Sequence, residues 1–323
     1  MIEQIEKDAI IDEINHNYNL DIVDLKLLKK SENTTCVLMS KNNTRYILRI
    51  NRPGYHSPDE LNGETFWMQS LRADTTLHLP DVYCNSDGNT ISAFTHSTSF
   101  GKDYSIFSYI NGVDLQANNF EDLKANIKKV GTTAAILHNH AESKPSLMHL
   151  NRPHWDFEDL FGTNPRWGDW KSHILLRKKE HLIYQDVLDK IRAQLNIYGQ
   201  SSDKYGLIHA DLHLSNFMQT DNSLYLIDFD DCGYGWFLYE CGCSLMQYNE
   251  NIPQLCDAWL EGYLTQRQLH AEDYAILPAF IIMRRIARIA WMASHAKSDT
   301  ADSITNFQQY IDVTTNMCVD YLK

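Results

Sequence analysis

The sequence predicts an α+β protein of two lobes: a small antiparallel-sheet lobe over residues 1–110 and a larger, mainly helical lobe over 111–323. Three observations carry that prediction. Residues 22–28, 36–40, 45–50, 82–84, 91–94 and 104–110 are short β-favouring runs separated by turn residues. Asn111-Gly112 then breaks the pattern and sets the boundary at 110–114. From Phe120 onward apolar residues recur at helical spacing, first in Leu123, Ile127, Val130, Ala134 and Leu137.

Taken in order, residues 2–18 read as an acidic amphipathic helix. The polar stretch 29–35, KKSENTT, joins the first two strands. With Asn33 in it, that loop could cover a nucleotide's phosphates through backbone N–H groups and short hydroxyls; having no glycine, it also reads as a plain hairpin connection. Lys41-Asn42-Asn43-Thr44 is a tight turn into the third strand. That strand, Tyr46-Ile47-Leu48-Arg49-Ile50, sets one cation in an apolar run, either turned to solvent or held for a partner. Ser57-Pro58-Asp59-Glu60 has the form of a capping box with proline at the first helical position, and the helix it starts would offer Glu64 to Arg49. Helices are expected at 121–140, 171–198, 239–249, 252–264, 270–296 and 301–322. Between the first two lies NRPHWDFEDLFGTNPRWGDWK, 151–171, an irregular stretch of the kind that is often functional when long.

Bulk properties narrow the function. A chain of 323 residues, 43% hydrophobic and 22% charged, has the composition of an ordinary globular protein. Its formal charge of −13 argues against nucleic acid as a partner, since such affinity depends on Lys and Arg neutralising phosphates. The N-terminal stretch lacks the basic and long apolar regions of a signal peptide, and the apolar run 277–293 carries Arg284, Arg285 and Arg288, so no membrane partner is expected. Seven scattered cysteines suit reduced thiols in a cytoplasmic protein; Cys241 and Cys243 lack a second ligand pair and read as buried structural residues.

The chemistry concentrates in 207–231, LIHADLHLSNFMQTDNSLYLIDFDD. Leu207-Ile208 delivers His209-Ala210-Asp211 and then Asn216; Leu224-Tyr225-Leu226-Ile227 delivers Asp228-Phe229-Asp230-Asp231. Thr220-Asp221-Asn222-Ser223 between them is turn chemistry, so the two runs are expected to pair as a hairpin that brings carboxylates and an amide together. Such a hard-oxygen set suits magnesium and phosphate. The spacing from Asp211 to Asn216 is that of a phosphoryl-transfer catalytic loop, in which the Asp receives the hydroxyl proton and the Asn binds magnesium; Asp228 stands where a second metal-binding Asp follows.

HADLHLSNFM followed by LYLIDFDD resembles the aminoglycoside phosphotransferase/choline kinase-like family, which shares the protein-kinase fold. The likeness extends from YILRI through INGVDL to RRIARIAWMASH. It implies a two-lobed protein-kinase-like fold and an ATP- and Mg2+-dependent transfer of the γ-phosphate to a hydroxyl of a small molecule: an amine-bearing alcohol, an amino sugar or a hydroxylated amino acid. By the same resemblance Asp211 is the catalytic base, and Asn216 and Asp228 are metal ligands. Arg49 takes the place of the strand lysine on the ATP phosphates, with Glu64 as its helix partner. Residues 107–110, with Ser108 and Ile110, form the hinge that holds adenine, and Gly112 lies just past it.

Four positions depart from related patterns. Ala210 stands where the family usually has glycine and Glu240 where many relatives have aspartate; Arg49 replaces the strand lysine, an exchange frequent in the family, and Asp230 stands where a protein kinase has glycine. Asp230 and Asp231 either add a metal ligand or face an amine. His213, Trp155 and Glu240 join Asp230 as substrate candidates, although loop packing explains His213 equally well. Trp155, Trp167, Trp170 or Trp236 could cage a quaternary ammonium, against the plainer reading of core packing. The ridge Arg284, Arg288, Trp291 and His295 reads either as internal salt bridging or as substrate recognition. Three rivals are a protein Ser/Thr kinase of the same fold, a silent nucleotide-binding pseudokinase, and a metallohydrolase built on His209 and His213. A helix expected soon after Asp228 leaves little platform for a peptide and favours a small acceptor.

Overall fold

Alternation of buried and open side chains organises the first part of the chain, and residues 4–30, 32–95, 102–295 and 301–323 are described by this computed structural model. In chain order come α1 (Gln4–Asn17), β1 (Ile22–Lys30), β2 (Thr34–Ser40), β3 (Arg45–Ile50), α2 (Pro58–Asp74), β4 (Val82–Tyr83), β5 (Ser92–Ala93), β6 (Asp103–Ser108) and β7 (Val113–Asp114). Then follow α3 (Phe120–Ser143), α4 (Phe157–Phe161), α5 (Lys178–Tyr198), β8 (Tyr205–Ile208), β9 (Phe217–Gln219), β10 (Leu224–Leu226), β11 (Gly233–Trp236), α6 (Tyr239–Leu245), α7 (Ile252–Tyr263), α8 (Ala271–His295) and α9 (Ala301–Leu322). This is the α+β, protein-kinase-like architecture that the sequence predicts. No helix among the described residues is long and apolar enough to cross a membrane.

The chain packs as two compact units. The first comprises Met1–Asp114, His149–Arg152 and Phe217–Asp230. Its main sheet is antiparallel in the order β1-β2-β3-β6-β4, with β5 also on β6. Every second residue of β2 is buried, so Cys36 and Leu38 meet Leu48, Ile50, Tyr104 and Ile106 in a core that Ile10, Ile14 and Tyr18 close from the α1 side. The turn before β3 works as its asparagines predict: Asn43 takes the left-handed conformation, φ 66°, and the Asn42 side chain accepts the Thr44 N–H. The polar stretch 29–35 is mostly strand, because Lys29 pairs with Thr35 and Lys30 with Thr34; Ser31 lies outside the described residues. At α2 the capping box is complete, Ser57 accepting from the Glu60 N–H and Glu60 from the Ser57 N–H.

One sequence expectation is corrected here. Leu207-Ile208 and Leu224-Tyr225-Leu226-Ile227 do not pair with each other. β10 pairs with β9, which also takes β7, whereas β8 pairs with β11. Gly112 allows the first arrangement, since a Cβ there would lie 2.8 Å from the Gln219 carbonyl oxygen.

The second unit comprises Leu115–Met148, Pro153–Asn216 and Asp231–Lys323. Its tightest helix pair is α3 with α7, where glycine on each side admits the other backbone. A Cβ on Gly131 would sit 2.0 Å from the Trp259 carbonyl oxygen, and one on Gly262 1.8 Å from that of Lys128. His138, fully buried on α3, meets the Tyr263 hydroxyl at 2.8 Å and stacks on Phe237. The helix expected from residue 171 starts at Lys178, preceded by a single 3-10 turn at Trp170–Ser172. Close packing of this kind has no slack, so Gly262→Ala should destabilise the protein by about 1–3 kcal/mol in urea unfolding. A loss under about 0.5 kcal/mol, the scatter of ordinary surface changes, would mean that α3 and α7 can part freely.

Candidate active site

In the sheet-bearing unit the buried cation of β3 has found its partners. Arg49 donates from Nη1 and Nη2 to the two carboxylate oxygens of Glu64, at 2.7 and 2.5 Å, and from Nε to Asn51 Oδ1 at 3.1 Å. Asp230 Oδ1 lies 3.8 Å from Nη1. Burial works against the Arg49 charge, but Glu64 and Asp230 outweigh it and hold the guanidinium more firmly protonated than usual. The expected strand-to-helix ion pair is therefore present, in the planar two-pronged form that lysine could not make.

The segment carrying Asp228 is tied down residue by residue. Phe229 is fully buried with its ring edge-on to Trp67 of α2, at 5.5 Å between centroids. Arg152 donates to the backbone oxygens of both Glu60 and Asp230, bridging α2 to this segment. Arg152 reaches that position because α2 carries Gly63, where a Cβ would be 2.8 Å from the Asn151 carbonyl oxygen. Just before these two anchors Asp228 is exposed and in the left-handed region, φ 65°, an uncommon conformation for a residue with a Cβ. Asp230 faces Arg49 and His56, whose Nε2 is 3.9 Å away. Sequence reasoning gave no signal for Asn51, His56 or Arg152; a single Arg before Pro153 in an irregular stretch carries no period or motif.

Of the remaining nucleotide candidates, Asn33 accepts the Arg52 N–H through Oδ1 at 2.9 Å. Ser108 ends β6, its hydroxyl accepting the Asp81 N–H at 2.8 Å, and Ile110 follows half-buried.

The helical unit carries the predicted catalytic-loop residues on the loop after β8. Ala210 is left-handed, φ 64°, where the related pattern has glycine. Two side chains of α6 secure it: Glu240 Oε1 accepts the Ala210 N–H at 2.8 Å, and the Cys243 thiol donates to the Ala210 carbonyl at 3.1 Å. Glu240 is thus a fully buried support beneath the loop, and Cys243 the buried structural residue expected. His209, also fully buried, takes the Asp211 N–H on Nδ1 at 3.4 Å, which accounts for it as loop packing.

Asp211 comes out of this turn with both carboxylate oxygens engaged. Oδ1 accepts from Arg284 Nη2 at 2.9 Å; Oδ2 accepts from His213 Nε2 and Asn216 Nδ2, both at 3.1 Å. Burial alone would raise its pKa, but His213 and Arg284 outweigh burial and hold the carboxyl well below its usual range. About a quarter of the side chain, 24%, stays exposed. With its Nδ2 turned toward Asp211, Asn216 presents its amide oxygen on the opposite side, where a hard cation could use it.

The aromatic candidates resolve differently. Trp155 runs beside β11, its backbone N–H donating to the Tyr234 carbonyl and its indole N–H to that of Asp231 at 2.7 Å. It is fully buried, with Trp167 against it, and offers no open face to a quaternary ammonium. Trp170 and Trp236 are buried too, Trp236 donating to the Gly199 carbonyl. Of the ridge on α8, Arg284 reaches Asp211 and Arg288 the Met246 carbonyl, while the His295 side chain lies outside the described residues. The helix after Asp228 begins at Tyr239, as the small-acceptor reading requires.

Comparison with known proteins extends this picture. A family model described as "Phosphotransferase enzyme family" matches residues 24–280. Amicoumacin kinase of Bacillus subtilis (strain 168) is 23% identical over 302 residues, spanning 87% of this chain and 83% of its own. A solved microcompartment-associated aminopropanol kinase aligns with a TM-score of 0.84 at 29% identity, covering 98% of this chain and 97% of its own. Amicoumacin kinase hAmiN, solved in complex with AMP-PNP, Ca2+ and Ami, shares the fold at a TM-score of 0.76 and 18% identity, over 96% of this chain and 93% of its own.

The buried Glu240 makes a pH-dependent prediction. Burial pushes its carboxyl up to about 8 from an ordinary 4.5, against the Ala210 and His209 amides that favour the ionised form. A raised folded value means that the stability from this group is present below the ordinary value and lost as pH rises through the folded one. Relative to wild type, Glu240→Gln should therefore gain stability steadily between about pH 5 and pH 8 in urea unfolding. A difference that stays constant over that range would rule out a buried carboxyl of this kind.

Proposed function

The chain belongs to the phosphotransferase enzyme family, and from that premise we propose that it moves the γ-phosphate of ATP, with magnesium, to the hydroxyl of a small amine-bearing alcohol. The observation that carries this reading is the Asp211 carboxylate, fixed on three sides and open on the fourth. In the transfer the acceptor oxygen bonds to the γ-phosphorus, the bond from that phosphorus to the bridging oxygen breaks, and ADP leaves. The acceptor proton passes to Asp211. Such reactions proceed through a loose transition state in which positioning and charge matter more than base strength. A carboxylate of low basicity suits that role, because its task is to orient the hydroxyl and accept the proton late.

Asn216 and Asp228 hold the metal in this reading. Their donors, an amide oxygen and a carboxylate, are the hard oxygens that magnesium prefers, and the Asn216 amide N–H groups are taken up by Asp211, which leaves its oxygen for a ligand. Magnesium, when bound, supplies charge neutralisation across the β- and γ-phosphates. Arg49, kept protonated by Glu64 and Asp230, serves the phosphates; residues 107–110, with Ser108 and Ile110, take the adenine, and Asn33 shapes the β1–β2 turn near the nucleotide. An amine on the acceptor is supported by the likeness to an aminopropanol kinase across nearly the whole chain and by the formal charge of −13.

The test is ADP release and phosphorus NMR of the product with ATP, magnesium and a panel of an aminopropanol, choline, an amino sugar, hydroxylated amino acids and a peptide mixture. Turnover is expected with the amino alcohol; phosphate appearing on the peptides alone would replace this reading with a protein kinase. Asp211→Asn should fold normally and lose about 10²–10⁴-fold in turnover, and near-wild-type turnover would remove Asp211 from the role of base. Asp228→Asn should abolish the magnesium-dependent part of ATP affinity in calorimetry; an unchanged affinity counts against its assignment to the metal.

A further inference from the structure

Two adjacent arginines on α8 are both buried, yet they are treated in opposite ways. Arg285 is fully buried and has its donors taken up by Thr314 Oγ1, Asn249 Oδ1 and the carbonyls of Met246, Tyr248 and Tyr310. Its ring of acceptors knits α8 to its surroundings, and its role is structural. The Arg284 side chain is 3% exposed, and its one ion pair among the described residues is Nη2 to Asp211 Oδ1 at 2.9 Å. No hydrogen bond of ordinary geometry reaches its Nε or Nη1; the Tyr239 hydroxyl and the Cys243 thiol are near polar neighbours, and the Asp231 carboxylate adds to the field. A buried charge so sparsely satisfied adds little to stability, and without it Asp211 would keep His213, Asn216 and its partial exposure.

Helix α6 and Trp167 pack around Arg284. On α6, a Cβ at Gly242 would meet the Phe280 carbonyl oxygen at 2.6 Å and the Arg284 Cβ at 3.0 Å, so that helix lies directly against α8 here. On another side the Trp167 ring covers the guanidinium, 4.5 Å from its centroid. With the ring on that side and the Tyr239 hydroxyl and Cys243 thiol nearby, Asp211 is the partner to which the arginine donates a hydrogen bond of ordinary geometry.

We infer that Arg284 is a positioning residue for phosphotransfer: held by α6 and Trp167, it fixes Asp211 Oδ1 from within the protein and never touches the acceptor. With Oδ2 shared by His213 and Asn216, Arg284 supplies the remaining point needed to stop the carboxylate rotating about its last bond. Misplacing a reacting group by about 1 Å costs on the order of 10²-fold in rate. This inference rests on Asp211 being the residue that orients the acceptor hydroxyl.

The experiment compares the full chain with its Arg284→Met, Arg284→Lys and Arg285→Met variants. Thermal unfolding, crystallography and, with ATP, magnesium and an aminopropanol, steady-state kinetics are read on each. Arg284→Met is expected to melt within about 2 °C of wild type, to show the Asp211 carboxylate turned away from its wild-type orientation, and to lose about 10–100-fold in kcat with KM for ATP unchanged. Arg284→Lys should recover part of kcat, and adding Arg284→Met to Asp211→Asn should cost nothing further, as for residues acting as one unit. Arg285→Met should do the reverse and lower the melting point by several degrees, about 2–4 °C or more for a chain of this size. An unmoved carboxylate in Arg284→Met, or a melting-point loss matching that of Arg285→Met, overturns the inference. If the wild-type enzyme is silent on the acceptor, the functional reading fails instead, and the crystallographic and thermal results still decide the role of Arg284.

Discussion

The left-handed backbone at Ala210 is the constraint from which the helical half of the site follows. An L-residue held there gives up about 1–2 kcal/mol relative to ordinary backbone, and its N–H and C=O are turned out of reach of the β8 ladder. Both are buried and need partners. Helix α6 supplies the two of them, Glu240 and Cys243. Gly242, between those two residues, brings the same helix against α8 at Arg284. One short helix thus sets the turn that aims Asp211 and the spacing that lets Arg284 reach it.

The two carboxyl groups of this loop region show why burial alone says little about role. Glu240 and Asp211 act on one another electrostatically, yet their surroundings push them apart. Glu240 is fully buried, and burial raises its carboxyl against two backbone amides and the Arg284 charge. Asp211 has a guanidinium, an imidazole and an amide, and its carboxyl falls. Paired groups driven in opposite directions are the pattern from which acid and base assignments can be read. Here the pattern marks Asp211 as the group kept ionised and Glu240 as scaffold.

Local chemistry was legible in the sequence wherever a few adjacent residues settle the conformation. The capping box of α2, the asparagine turn before β3 and the ion pair of Arg49 with Glu64 all depend on short-range patterns or on one charge in an apolar run. Strand pairing was not legible in the same way. Leu207-Ile208 and Leu224-Tyr225-Leu226-Ile227 look like partners because turn residues separate them, but a two-residue period carries no record of which strand lies alongside. The true partner of β8 is Gly233-Tyr234-Gly235-Trp236, whose glycines hide its strand character while admitting the Pro153 carbonyl and the Ile208 side chain. Residues near the motif were also read outward when the structure uses them inward: Glu240 supports the loop, and the Trp155 ring is sealed beside β11. The α8 ridge gave the correct helix face and left its partner open, since nothing in the spacing of 284–295 points to residue 211.

Buried arginines in this protein divide by what surrounds their donors, and that division carries functional meaning. Arg285 is enclosed by acceptors contributed from several elements, as stability requires. Arg49 is nearly as well satisfied, but two of its partners, Glu64 and Asp230, are anions, so its charge is held in place while its donors stay in a fixed fork. Arg284 has one good partner, the carboxylate of Asp211. A folding criterion alone would have filled all three positions in the first manner or with apolar side chains. On the proposed function, the departures from that criterion at Arg49 and Arg284 would serve the phosphates and the proposed base, and the energetics of the fold would then be tied to its reaction.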